Sequence, residues 1–347
     1  MEMGRRGTPE SLPRTNWSMR NWLWRPALGL RGFFSMRFFR HVTILHGCAV
    51  GGGSITYCCT LLVPPEKVWD NGSWQGLANW KSEMPQYYET ASHMLGVVEN
   101  RFLGPADRLL QRTAAQLGVG RTFYPTRVGV FQASREELVG QTVPDPFFNG
   151  EGPQRTACIE CGGCMLGCRH GAKNTVDKNY LYLGEKRGAQ VFAETKIVDV
   201  RPLEGIADGG NGYEVRTVDS LAFFNRRSRR FTCRGVVFSA SALGTMELLF
   251  HLKDKGSLPA ISNQLGRYVR TNSESLIGVR APRSREDLSQ GITIGSGIRV
   301  DEHTDIQAVR YSEGSGAISL ISTIMTGGRP GPGRIALWIG NRARLFL

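Results

Sequence analysis

The sequence predicts an α/β fold that passes into an α+β arrangement in its C-terminal part. Three observations point there. A short β-like run at residues 41–45 enters a loop with four glycines. Helix-type and strand-type segments alternate from residue 175 to residue 256. Within that alternation, hairpin-like strands are inserted around a DGGNG turn.

The individual elements follow from local punctuation. Residues 85–98 fit a helix, and residues 105–117 fit another, opened by Pro105 and closed by Gly118. Residues 132–157 are polar and rich in Gly and Pro, and read as loop. Thr175 is placed to cap a helix over 176–187 that Gly188 ends. Residues 189–203 and 213–218 read as strands on either side of the turn. Residues 234–240 read as a short buried strand, and residues 243–256 as a helix ending at Gly256. No internal repeat or low-complexity stretch is visible.

With 41% apolar and 21% charged residues over 347 positions, the composition is that of a globular chain long enough for two domains. No run approaches the roughly 20 apolar residues of a spanning helix. The net charge of +13 reads first as a solvated basic surface. Its Lys and Arg residues form no nucleic-acid-binding module, so no nucleic-acid partner is expected. Residues 17–41 mix Arg with Trp, Phe and Leu without an acid, a composition also compatible with peripheral membrane contact. Pro26, Gly29 and Gly32 interrupt any long helix there, and a folded surface segment packing its aromatics inward is the expectation. No signal-peptide order is recognisable, so the localisation is read as cytoplasmic.

The first chemical signal is Gly47, Gly51, Gly52 and Gly53 followed by Ser54. Residues without side chains let a backbone approach a phosphate or a flat ligand, and the Ser54 hydroxyl offers a donor. A plain flexible turn is the competing reading of the same run. The spacing is not G-x-G-x-x-G, which occurs nowhere in the chain.

Context sharpens this. The segment HVTILHGCAVGGGSITY, residues 41–57, resembles the stretch of the glucose–methanol–choline (GMC) oxidoreductases in which a strand leads into a glycine run lying against flavin. MEMGRRG, residues 1–7, is similar to the end of that family's second dinucleotide-domain strand. GCRHGAKNTVDKNYLYLGEKRGAQVF, residues 167–192, is similar to its GAK-containing helix–strand motif beside the cofactor. Residues 235–274 resemble its strand–A-G-x-L-G helix, with Ser241 where the family usually has Gly. These matches cover most of residues 1–275, and residues 301–326 more loosely. The pattern is nearest the cholesterol-oxidase-like branch.

The resemblance implies FAD, bound by an incomplete FAD/NAD(P)-binding Rossmann-like domain beside a partial antiparallel-sheet substrate domain. It assigns cofactor contacts to Glu2 (the ribose hydroxyls), Gly47, Gly51, Gly52, Gly53, Ser54, Tyr57, Cys58, Thr60 and Ile197 (backbone at the adenine ring). It divides the chain into residues 1–62 and 165–280, binding FAD, residues 63–164, a helical and loop insertion, and residues 281–347, the start of the substrate domain. The implied activity is oxidation of the CH–OH group of an alcohol, a sterol or other large lipid-like one, by hydride transfer to flavin. The family's catalytic His is expected beyond this sequence, as is the G-x-G-x-x-G unit before it, so the 347 residues alone are expected to bind FAD poorly and to be inactive. Arg310 stands where sterol oxidases that also isomerise carry a Glu, with Glu313 three residues on.

Cys158, Cys161, Cys164 and Cys168 follow the spacing C-x2-C-x2-C-x3-C of ferredoxin cluster ligands. Arg169 replaces the usual Pro, and no second cysteine run is present. Structural thiols are the favoured reading, and an iron–sulfur or zinc module is the alternative. Cys48, Cys58, Cys59 and Cys233 read as small buried apolar residues, and His46 and His170 as structural histidines rather than bases.

Overall fold

In the computed structural model, residues 1–347 are described except 207, 223, 225–226, 271, 273, 280–284, 322–330 and 344–347. The boundary expected at 280/281 and part of the loose resemblance at 301–326 fall outside the described residues. Strands β1 (Phe34–Phe38) and β2 (Thr43–Gly47) pair antiparallel, and β2 delivers the chain into the glycine loop and the short helix α1 (Gly53–Thr56). Helix α2 (Trp80–Met94) starts five residues before the expected helix, with Pro85 inside it. Helix α3 (Pro105–Gln116) opens at the expected proline. Strand β3 (Tyr124–Pro125) and helix α4 (Tyr180–Lys186) follow, the latter capped by Asn179 rather than Thr175.

A three-stranded antiparallel meander comes next. Strand β4 (Thr195–Pro202) pairs with β5 (Tyr213–Asp219), which pairs with β6 (Ser228–Cys233). Helix α5 (Ser241–Asp254) packs Leu252 against Val200 and Val215 of this sheet. Strands β7 (Ile294–Arg299) and β8 (Asp305–Val309) form a second sheet whose other edge is β3. The last described helix is α6 (Pro332–Ala343). No described helix is long and apolar enough to cross a membrane.

All of these sheets are antiparallel. The chain is a mixed helix-and-strand structure, compatible with the α/β expectation. Residues 234–240, expected as a buried strand, take no strand conformation, and Val237 is 88% exposed. A strand needs a neighbour for its N–H and C=O groups, and this run has no ladder partner among the described residues.

The aromatic-rich N-terminal segment folds inward as expected. Trp22, Trp24, Phe33 and Phe34 are buried, with Trp22 stacked on Phe34 at 5.3 Å between ring centres. Around them gather Leu12, Ala49, Ile55, Leu166 and Ala317. Trp17, Phe38 at the end of β1 and Phe39 stay exposed. This cluster pins Ala49 and Ile55, the residues flanking the glycine turn, from one side.

Candidate cofactor site

Strand β2 brings Gly47 to the rim of a tight turn. A methyl group on Gly47 would sit 2.5 Å from the Gly52 carbonyl oxygen, so only glycine fits there. Gly51 and Gly52 take φ of 102° and 54°, the left-handed region that side chains avoid. Beyond the turn the surroundings change: methyl groups on Gly52 or Gly53 would meet nothing within 4 Å. The loop therefore has one tightly packed face and one open face.

The side chains predicted to serve a ligand divide into two kinds. Ser54 Oγ donates to the Gly51 carbonyl at 2.6 Å and accepts the Val176 amide at 3.0 Å, so its hydroxyl fastens the loop instead of pointing at a ligand. Tyr57 donates to the Asn174 carbonyl at 2.7 Å, and burial raises its pKa far above the usual phenol range. Thr60 donates to the Ile294 carbonyl at 3.3 Å. Burial pushes the Cys58 thiol up to about 11. Ser54, Tyr57 and Thr60 tie the loop into its surroundings.

Glu2 lies on the other flank. Its carboxylate accepts the Gly4 amide at 2.6 Å, and burial raises its pKa. Residues 2–5 act as a connector. The Val50 amide donates to the Arg5 carbonyl at 2.9 Å, while the Thr195 amide donates to Glu2 at 2.8 Å and the Glu194 amide to Gly4 at 3.0 Å. The glycine turn and the start of β4, some 145 residues apart in the chain, are thus both hydrogen-bonded to residues 2–5. Ile197 sits two residues further along β4. There the register slips between Ile197 and Asp199, leaving Val198 out of the ladder, and β4 is the edge of its sheet.

Two buried polar atoms beside the turn have no hydrogen-bond partner among the described residues: His46 Nε2 and Asp177 Oδ1. The latter would lie 3.1 Å from a methyl group on Gly51. Buried orphans of this kind are costly unless a ligand or water completes them. Burial lowers the pKa of His46, which favours the uncharged ring. An open glycine face, a nearby acceptor and a nearby imidazole suit a planar, hydrogen-bonding group such as flavin. Asp177 was legible only as one member of a polar run.

Behind the turn, Lys173 is fully buried. Its ammonium donates to the carbonyls of Ile55 (2.8 Å), Tyr57 (2.7 Å) and Cys164 (3.0 Å), and lies 4.4 Å from the Tyr57 ring centre. It joins the exit of α1 to the cysteine loop, a tie that sequence spacing does not reveal. Cys164 itself is brought down to about 6, first by a hydrogen bond from Cys59.

Arg310 faces inward as well. It pairs with Asp107 of α3 and donates to the Gln290 carbonyl at 2.8 Å, so its guanidinium is committed to the protein interior.

No family model matches the chain. Comparison with curated proteins decides the direction. The chain is similar to proteins named cholesterol oxidase. It is 56% identical over 339 residues to one from Acinetobacter baumannii, covering 98% of this chain. It is 44% identical over 331 residues, 94% of this chain, to those of two Mycobacterium tuberculosis strains, CDC 1551 / Oshkosh and H37Rv. The chain spans 61% of the length of the first relative and 56% of the others. This similarity supports the expected kinship with the cholesterol-oxidase-like branch of the GMC oxidoreductases. It lends nothing to a protein whose function centres on a metal-binding cysteine module. Among the described residues, no group of three or more His, Cys, Asp or Glu side chains is placed to hold a metal ion.

Proposed function

We propose that this chain carries the flavin-holding portion of an FAD-dependent oxidoreductase that oxidises the CH–OH group of a sterol or another large lipid-like alcohol. The observation that carries this reading is the 56% identity to a protein named cholesterol oxidase over 98% of the chain. The open glycine face beside the 2–5 and 192–197 segments gives it a physical basis.

In this reading residues 1–62 and 165–280 hold the cofactor on a Rossmann-like frame, residues 63–164 are an insertion, and residues 281–347 begin the substrate part. The main chain of Gly51–Gly53 lies against the ring system, and Asp177 Oδ1 and His46 Nε2 are the polar atoms available to its edge. Glu2 and the bulged backbone at Ile197–Asp199 serve the adenosine end. Ser54, Tyr57, Thr60 and Lys173 hold the loop in shape without touching the ligand. When bound, FAD supplies the hydride acceptor for alcohol oxidation. The protein's share is orientation and exclusion of water around the ring system. A cytoplasmic location with peripheral contact to membranes suits a lipid-like substrate.

The test is direct. The protein expressed from its full natural reading frame should purify with bound flavin, and cholesterol should bleach the flavin absorption in the absence of oxygen. A colourless protein that leaves the fluorescence of added FAD unchanged would overturn the proposal.

A further inference from the structure

The four cysteines of the C-x2-C-x2-C-x3-C run remain unexplained by the flavin reading. Cys158, Cys161, Cys164 and Cys168 all line one small cavity, together with His170, Lys173 and Gly291. In two-cluster ferredoxins the fourth cysteine of such a run serves a different centre from the first three. Here Gly167 and Cys168 both take left-handed φ, 89° and 60°, and the chain doubles back so that Cys168 lines the same cavity as the others.

Two of the four sulfurs accept a main-chain amide. The Glu160 amide donates to Cys158 Sγ at 3.3 Å and the Lys173 amide to Cys168 Sγ at 3.4 Å. Thiols in an ordinary apolar core do not need this. Sulfurs carrying negative charge do, and amide hydrogen bonds to sulfur are among the features that set the potential of cluster sites.

The surrounding charge is lopsided in the same sense. Lys173 and Arg155 are 0% and 2% exposed, and neither has a carboxylate within 4.0 Å among the described residues. Lys173 is held by three carbonyls, and Arg155 by the carbonyls of Gly171, Ala172 and Lys173. Two buried cations held by carbonyl dipoles, with no carboxylate in contact, favour an anion nearby, because uncompensated buried charge is costly. A thiolate-ligated cluster is such an anion.

We infer that Cys158, Cys161, Cys164 and Cys168 ligate an iron–sulfur cluster of the four-iron class, a second cofactor site distinct from the glycine loop. The sequence alone favoured structural thiols. The shared cavity, the two amide–sulfur bonds and the two buried cations without a contacting carboxylate reverse that preference. The thiols do not converge tightly enough to chelate a single ion. A four-iron cluster asks for something different, one thiolate per iron arranged around a common void.

This inference does not rest on the flavin reading, and its test reads iron and sulfide rather than flavin. The protein from the full natural reading frame is purified without oxygen and reconstituted with ferrous iron and sulfide. It should hold about four iron and four acid-labile sulfide per chain, the content of a four-iron cluster, and give the electron paramagnetic resonance signal of a reduced cluster after dithionite. Cys161→Ser and Cys158→Ser should each lower iron and sulfide at least tenfold, whereas Cys233→Ser should retain both. Alkylation read by mass spectrometry gives an answer that does not depend on folded variants: in the loaded wild-type protein, these four thiols should be blocked until acid releases the cluster. Reconstituted protein without iron and sulfide, one zinc per chain, or open alkylation of all four thiols in the iron-loaded protein would each overturn the assignment.

Discussion

Asp107 and Arg310 meet as a two-pronged ion pair, both guanidinium Nη atoms 2.7 Å from a carboxylate oxygen, where the side chains are 0% and 3% exposed. The same carboxylate accepts the Gly104 amide at 2.9 Å and the Ser296 hydroxyl at 2.6 Å. Asp107 therefore closes the start of α3 and couples it to β7 and to the segment after β8. Removing one partner leaves a buried charge unanswered, at a cost of about 3–5 kcal/mol. Asp107→Asn should lower the denaturant midpoint accordingly. The double variant Asp107→Leu/Arg310→Met should be less destabilised than the sum of the two single changes. Additive losses in denaturant titrations would show that the pair is not coupled.

The two faces of the glycine turn make opposite predictions. At Gly47 a methyl group meets the Gly52 carbonyl at 2.5 Å, so Gly47→Ala should destabilise the fold by about 1–3 kcal/mol, the range for overpacking. At Gly53 a side chain enters open space, so Gly53→Leu should leave thermal stability nearly unchanged. If flavin lies on that face, the same leucine should weaken FAD binding at least tenfold, as read by fluorescence titration. A Gly53→Leu protein that binds FAD like the wild type would move the ring system elsewhere.

These two cases also show what the sequence could and could not reveal. Proline and glycine punctuation marked α3 and the turn after α5, because those residues restrict or free the backbone locally. The glycine run marked the close approach at Gly47 for the same reason. Nothing local announces that Asp107 will find Arg310, 203 residues away, since long-range pairs leave no period in the chain. Two-residue strands such as Thr142–Val143 and Arg155–Thr156 are too short for alternation to register, and residues 132–157 read as loop. Ser54 and Tyr57 were legible as polar residues near a ligand loop, yet not as residues whose hydrogen bonds are spent on Gly51, Val176 and Asn174. The apolar run at 234–240 shows the reverse error, since composition suggests a strand but cannot supply a neighbour.

Ser241 opens α5 with φ of 59°, in the left-handed region. For a residue with a Cβ that conformation costs about 1–2 kcal/mol, and glycine adopts it freely. The resemblance places a glycine at this position, and the backbone geometry agrees with that preference. Ser241→Gly should raise the unfolding free energy, with part of the gain offset by the greater freedom of glycine in the unfolded chain. A lower melting temperature for Ser241→Gly would mean that the serine hydroxyl makes a compensating interaction.

Asp199 on β4 carries the clearest acid dependence. Burial alone would raise its pKa, but hydrogen bonds from Lys255 at 2.8 Å and Ser257 at 2.6 Å, together with Arg201, outweigh burial and hold the carboxyl well below the usual range. A carboxylate depressed in the folded state adds stability above its unfolded pKa of about 4, and that stability is lost as pH falls toward the folded value. Asp199→Asn should therefore be markedly less stable than wild type at pH 7, with the gap narrowing steadily below about pH 4. Lys255→Met should reproduce part of the loss and the same narrowing, because it removes a charge that holds Asp199 ionised. Denaturant titrations of the three proteins between neutral and acid pH measure the effect. A gap that stays constant over that range would assign the loss to packing between β4 and α5 rather than to the charge of Asp199.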